Sequence, residues 1–227
     1  VTTKSLLVVG AGPGLGYSVA ERFGREGFRV ALVSRGAMHL DALVTRLADR
    51  GIEAAGFTAD VADRESLRAA ITAAKASFGT VDVLEYSPAP DHHAVLDALS
   101  ITPENARHHV DRTLIGAVTA AREVLPNMLE RGDGAILFTT GASAAVPLPS
   151  HASVGLGMSA LRNYANVLHA ALQGTGVYAG TLMVATRIEK GTEGDPDVLA
   201  DIYWSMYTDR DRFETVVGDL ERLTRTS

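Results

Sequence analysis

Four glycines crowd seven residues: Gly10, Gly12, Gly14 and Gly16, with Leu15 between the last two. An apolar run at 5–9 precedes them, and a stretch with helical apolar spacing follows from Tyr17. Glycine in such a turn lets the backbone come close to a pyrophosphate, and the following helix offers free N–H groups and a positive dipole end. A plain tight turn is the alternative, and the strand–turn–helix setting argues against it. The next apolar run, 28–34, ends in Val33-Ser34-Arg35. In a dinucleotide-binding unit this point faces the adenosine ribose. An acidic side chain there would bond a 2′-hydroxyl, whereas Ser34 and Arg35 can donate to a 2′-phosphate. The expected cofactor is therefore NADP(H), the alternative being a solvated surface arginine.

The elements that must position these residues alternate. Strands are expected at 5–9, 28–34, 54–59, 81–86, 135–140 and 177–184. Helices are expected at 17–25, 40–49, 66–78, 104–131 and 154–172, with 91–98 a short helix or loop. Strands alternating with helices give right-handed crossovers on a parallel sheet. The fold class is α/β, a single Rossmann-like doubly wound parallel sheet with helices on both faces. One domain is expected over 1–227. Residues 191–227 are expected as a helical tail, with Tyr203, Trp204, Met206 and Tyr207 either a lid over the substrate pocket or a packing face.

Composition narrows the partners. The 227 residues carry 21 basic and 27 acidic side chains, a net charge of -6, so no basic surplus exists for nucleic-acid binding. The absence of cysteine removes disulfides, thiolate metal sites and cysteine nucleophiles. His92-His93 and His108-His109 are adjacent pairs whose rings diverge by about 100° on a helix, so no metal is expected. No apolar run is long enough to span a bilayer and no secretion leader opens the chain, which gives a cytoplasmic expectation.

With these residues in place the chain resembles the short-chain dehydrogenase/reductase family. Gly10 to Gly16 matches that family's glycine pattern. Ala59-Asp60-Val61 resembles its adenine-contacting segment, and Val81-Asp82-Val83-Leu84 the approach to its fourth-strand motif. Gly116, Leu125-Pro126, Gly134 to Leu137, and Ser159 to Asn163 resemble its fifth helix, the next strand and the helix of its tyrosine–lysine pair. The resemblance covers roughly 5–180. It implies cofactor contacts at Gly10, Gly12, Gly14, Leu15, Gly16, Ser34, Arg35, Asp60, Val61 and Ser87. It also implies a small-molecule substrate and a homodimer or homotetramer built on the two long helices.

The family's catalytic side chains are asparagine, serine, tyrosine and lysine. The same correspondence puts Thr113, Gly141, Val154 and Met158 at those positions, so none of the four is expected to survive. Three residues are candidates to replace them. Ser143, after the fifth strand, can bond a substrate carbonyl or cap a loop. His151 can act as acid or base near neutrality or stand as a loop histidine. Tyr86 can supply a phenolic proton, stack on a ring or pack in the core. The reading with most support is an atypical NADP(H)-dependent oxidoreductase of a small, largely apolar carbonyl, imine or enone. A catalytically dead NADP(H) sensor or scaffold, and a non-redox isomerase, dehydratase or cyclase, remain as alternatives.

Overall fold

A computed structural model describes residues 3–225. Seven parallel strands form one sheet in the order β3-β2-β1-β4-β5-β6-β7. They are β1 (Ser5–Val9), β2 (Arg29–Ser34), β3 (Ala54–Thr58), β4 (Val83–Tyr86), β5 (Gly134–Gly141), β6 (Val177–Ala185) and β7 (Glu214–Gly218). The strand order reverses between β1 and β4, which places the ligand crevice of such a sheet at their carboxyl ends. β1, β4 and β6 are buried along their whole length, as strands covered on both faces must be.

Helices α1 (Leu15–Arg25), α2 (Ala37–Ala48) and α7 (Pro196–Asp209) cover one face, and α3 (Arg64–Phe78), α5 (Gly116–Arg131) and α6 (Ala152–Ala171) the other. α4 (Pro103–Val110) packs against α6, and α8 (Leu220–Arg225) ends the described chain. No helix among the described residues is long and apolar enough to cross a membrane.

Two sequence expectations change. The single helix expected over 104–131 is α4, a π-helical turn at Asp111–Ile115, and α5. The chain stays helical through the π turn and no proline breaks it before Pro126, so the stretch reads as one helix. The expected helical tail holds a seventh strand, β7, paired to β6 from Thr181↔Glu214 to Ala185↔Gly218. Its β-branched run Thr215-Val216-Val217 is the signal that the sequence carried for it. Nor is α7 a lid. Tyr203, Met206 and Tyr207 lie in the core against α1, where Phe23, Phe28 and Trp204 join an edge-to-face aromatic cluster. Burying that much ring surface outweighs leaving it over a solvent-filled pocket.

Candidate functional site

At the crevice, Gly10 has φ +96, and a Cβ there would lie 2.5 Å from the Pro88 nitrogen and 2.8 Å from the Ser87 carbonyl carbon. Only glycine fits both the conformation and the approach. The N–H groups of Gly10 and Ala11 donate to the Val33 carbonyl, which ties the turn to β2. Over Gly14 there is open space within 4 Å, and at Gly12 the nearest atom is the Gly10 carbonyl oxygen at 4.0 Å. The cap residue of α1, Gly14, supplies no side-chain bond, and no acidic residue stands in the first turn. The turn thus leaves an uncapped helix N-terminus beneath an open cradle, which fits a dinucleotide's diphosphate. Leu15 buries its side chain in the core, so it offers the crevice only its backbone.

Around the β2 and β3 ends, Ser34 is half-buried and its carbonyl accepts from Ala59 N–H, while Arg35 is exposed. Among the described residues Arg35 makes no ion pair, so its charge is available. Asp60 Oδ1 accepts from Ala62 N–H at 3.0 Å and faces the largely buried Arg112 guanidinium at 3.5 Å. Val61 packs its side chain in the core.

β4 carries two adjacent buried polar residues. Tyr86 belongs to the α3/α5/α6 face; its hydroxyl donates to the Arg112 carbonyl at 2.5 Å, and burial drives its pKa upward. A Cβ on Gly116 would collide with that hydroxyl. As a proton donor or stacking ring Tyr86 is therefore corrected: it caps a carbonyl of the π turn inside the core.

Glu85 belongs to the other face and is fully buried. Ser87 Oγ donates to its Oε2 at 3.0 Å, Thr139 Oγ1 donates to its Oε1 at 3.3 Å, and Tyr203 shares a short hydrogen bond with Thr139. Burial pushes the Glu85 carboxyl up to about 8, against the pull of the two hydroxyl bonds. Tyr203, also fully buried, is pushed well above its ordinary value. Sequence reasoning missed Glu85. Its signal was a carboxylate between Leu84 and Tyr86 in an otherwise apolar strand, a residue type rarely buried without cause.

On the α6 side, Gly141 ends β5 beside Val184. Thr113 lies in the π turn, and a Cβ on Gly157 of α6 would come within 2.9 Å of it. Val154 and Met158 are buried with Ala144 and Met183 in a separate apolar cluster, onto which Val95 and Leu220 pack. The tail thus reaches this cluster through the start of α8, not through α7. Ser143 is half-buried next to Ala144, and its carbonyl accepts from Ser159 Oγ at 3.3 Å. His151 is exposed at the entry to α6, its Nδ1 2.9 Å from Ser150 Oγ.

A cavity of about 460 Å³ adjoins the glycine turn at Pro13 and Gly14 but runs away from the crevice, between α1, α2 and α7. Its charges largely satisfy one another: Arg25 and Arg50 share Glu21, Arg22 pairs with Asp201, and Arg46 lies over the Tyr17 ring. It reads as a salt-bridged trough. Among the described residues no group of His, Asp and Glu gathers to hold a metal, and His109 spends its Nε2 on the Ala94 carbonyl at 2.9 Å.

A doubly wound parallel sheet with an uncapped glycine turn at its switch point defines a dinucleotide-binding type of α/β protein. Residues 4–190 match the short chain dehydrogenase family, and the chain belongs to it. It is 33% identical over 180 residues to D-threitol dehydrogenase of Mycolicibacterium smegmatis, covering 79% of this chain and 68% of that one. Its fold is similar to L-sorbose reductase from Gluconobacter frateurii, solved with NADPH and L-sorbose (TM-score 0.85, 20% identity, 97% and 98% of the two chains). It is likewise similar to a 3-oxoacyl-(acyl-carrier protein) reductase from Brucella melitensis, solved with NAD (TM-score 0.82, 19% identity, 94% and 89%). The relatives are oxidoreductases.

Proposed function

We propose that this chain is an NADP(H)-dependent oxidoreductase acting on a small, largely apolar carbonyl, imine or enone without a tyrosine–lysine pair. The observation that carries this is the apolar cluster of Ala144, Val154, Met158 and Met183 on α6 and its neighbours. By the correspondence above, Val154 and Met158 stand where the family holds its tyrosine and lysine. An apolar wall there suits a substrate needing little acid assistance, such as an iminium or a polarised alkene, and leaves orientation and electrostatics as the sources of rate. The bound dinucleotide supplies the hydride. This chain's own part is to hold the diphosphate at the N–H groups of the α1 turn and a 2′-phosphate at Ser34 and Arg35. Ser143 and His151 are the side chains left to meet a substrate oxygen or proton at the α6 entry. Pairing of two copies belongs to the same reading, since α6 leaves Leu156 and Val167 exposed.

Calorimetric titration with NADPH and then NADH tests the cofactor half. NADPH should bind more tightly, and Arg35→Ala should weaken NADPH by roughly tenfold, about 1.4 kcal/mol, while leaving NADH unchanged. Binding of neither nucleotide overturns the reading. A panel of ketones, imines and enones tests the rest. Oxidation of NADPH by an imine or enone supports the proposal, whereas tight binding with no turnover across the panel hands the site to the sensor alternative.

A further inference from the structure

Glu85 has no place in the chemistry derived so far, yet it is a fully buried carboxyl on the strand that forms one side of the switch point. We propose that Glu85 couples its proton to the charge of the ligand in the crevice: it is a neutral acid when the crevice is empty or holds an uncharged reduced nicotinamide, and it ionises when a cationic oxidised ring binds. This rests on the nucleotide reading above and deepens it.

Three features carry the inference. The first is place. Ser87, one hydrogen bond from the carboxyl, is half-buried at the β4 exit, against the backbone of the Gly10 turn. Thr139, on the other carboxyl oxygen, is also half-buried near the end of β5. The acid therefore lies one hydroxyl beneath the crevice on two sides.

The second is charge. The groups that face Glu85 are hydroxyls or apolar side chains: Ser87 just past the end of β4, Thr139 from β5, and Tyr203 from α7 through Thr139. In the sheet it lies between Val8 of β1 and Leu137 of β5. No cation among the described residues pairs with it. In so weakly polar a setting a positive charge arriving nearby is felt strongly, and nothing already present competes with it.

The third is adaptability. Serine and threonine hydroxyls can donate to a carboxylate or accept from an acid, so both protonation states stay hydrogen-bonded through hydroxyl rotation alone. Burial places the resting proton in reach of this coupling, since the carboxyl is held up at about 8. Only the O–H bond of Glu85 breaks. The proton leaves for solvent by way of the Ser87 side of the crevice, the carboxylate stays behind, and no electrons pass through this chain.

Linkage sets the expected result. Binding that expels the proton strengthens with pH, by up to about tenfold per unit, and levels off above about 8; by reciprocity the neutral ring shows no such gain. The test is calorimetric titration with NADP⁺, NADPH and the ring-free 2′-phospho-ADP-ribose from about pH 6 to about pH 9, in two buffers of different ionisation heat. The 2′-phosphate, with a second pKa of about 6, gives all three ligands the same proton release and gain at the acid end. Beyond that shared part NADP⁺ alone should release up to one further proton and gain at least about a further tenfold. Glu85→Gln should remove both further effects.

Infrared spectroscopy of the free protein supplies a readout without ligand: a carboxylic acid carbonyl band that titrates near 8 and is absent from Glu85→Gln. Should that variant fail to fold, Thr139→Val removes one donor to the carboxylate and should move the midpoint upward, which a purely packing role would not do. An NADP⁺ affinity and proton release that follow pH as those of the other two ligands do, or the same pH dependence in Glu85→Gln, overturns the inference while the nucleotide reading stands. Failure of all three nucleotides to bind overturns both.

Discussion

Glu85 and Tyr86 are neighbours on β4, both are fully or almost fully buried, and they belong to opposite faces of the sheet. Their partners differ. Tyr86 donates to the Arg112 backbone carbonyl in the π turn, an acceptor that leaves its hydroxyl only the donor role. Glu85 meets hydroxyls only, which favour the carboxylate yet can also accept from the acid, so it stays hydrogen-bonded in either state. The contrast teaches that burial alone does not mark a functional group. A buried polar group committed to the backbone fixes structure, and one surrounded by reversible partners at the edge of a crevice can change state. The two faces extend the same division. The Glu85 face holds the uncapped glycine turn, whereas the α6 side of the Tyr86 face closes over Val154 and Met158.

The largest expected effect lies on the Glu85 face. The folded protein holds this proton up to about 8, while the unfolded chain releases it near 4.5. Between those values the folded state binds more protons, so stability is intact below 4.5 and falls as pH rises through 8. At about 1.4 kcal/mol per unit the loss amounts to roughly 5 kcal/mol, complete once both states are ionised. Urea unfolding across that range should show the decline in the natural chain and a much flatter profile in Glu85→Gln, with the variant the more stable of the two at alkaline pH. A flat profile in the natural chain would erase the difference between the two residues. Next in size is Met158→Ala on the opposite face. It opens a cavity among Ala144, Val154 and Met183 and should cost about 2–4 kcal/mol, equally at every pH in that range. A loss well below 1 kcal/mol, again by urea unfolding, would mean that the cluster is loosely packed and that the α6 wall is not a fixed one.

Much of the fold was legible in the sequence, and the illegible part has physical causes. The strand–helix alternation, the glycine turn and the placement of Ser34 and Arg35 follow from short-range pattern, since parallel strands buried on both faces read as apolar runs closed by glycine. The π turn was hidden because the chain stays helical through it with no proline to mark it, and β7 because its β-branched run is short and partly exposed within a stretch of helical apolar bulk. Tyr86 looked like chemistry because its position in the chain is at a strand end. Which face of β4 it takes, and that the Arg112 carbonyl waits for it there, depend on contacts 26 residues away. Glu85 was passed over for the converse reason. A carboxylate in an apolar strand reads as an irregularity until Ser87, Thr139 and Tyr203, from three separate elements, are seen to converge on it.

The smallest expected effect tests the structural half of the comparison. Tyr86→Phe keeps the ring in the core and removes only the hydroxyl. The Arg112 carbonyl then loses its donor in a region sealed from water, which should cost about 1–2 kcal/mol. Because the phenol is pushed to still higher pKa by burial, it stays neutral throughout the pH range in which Glu85 titrates. The unfolding profile of Tyr86→Phe should therefore run parallel to that of the natural chain, displaced downward by a constant amount, and the proton released on binding NADP⁺ should be unchanged. A displacement that varies with pH, or a change in proton release, would show that the hydroxyl is wired to the carboxyl through the strand and that the two faces of β4 act as one.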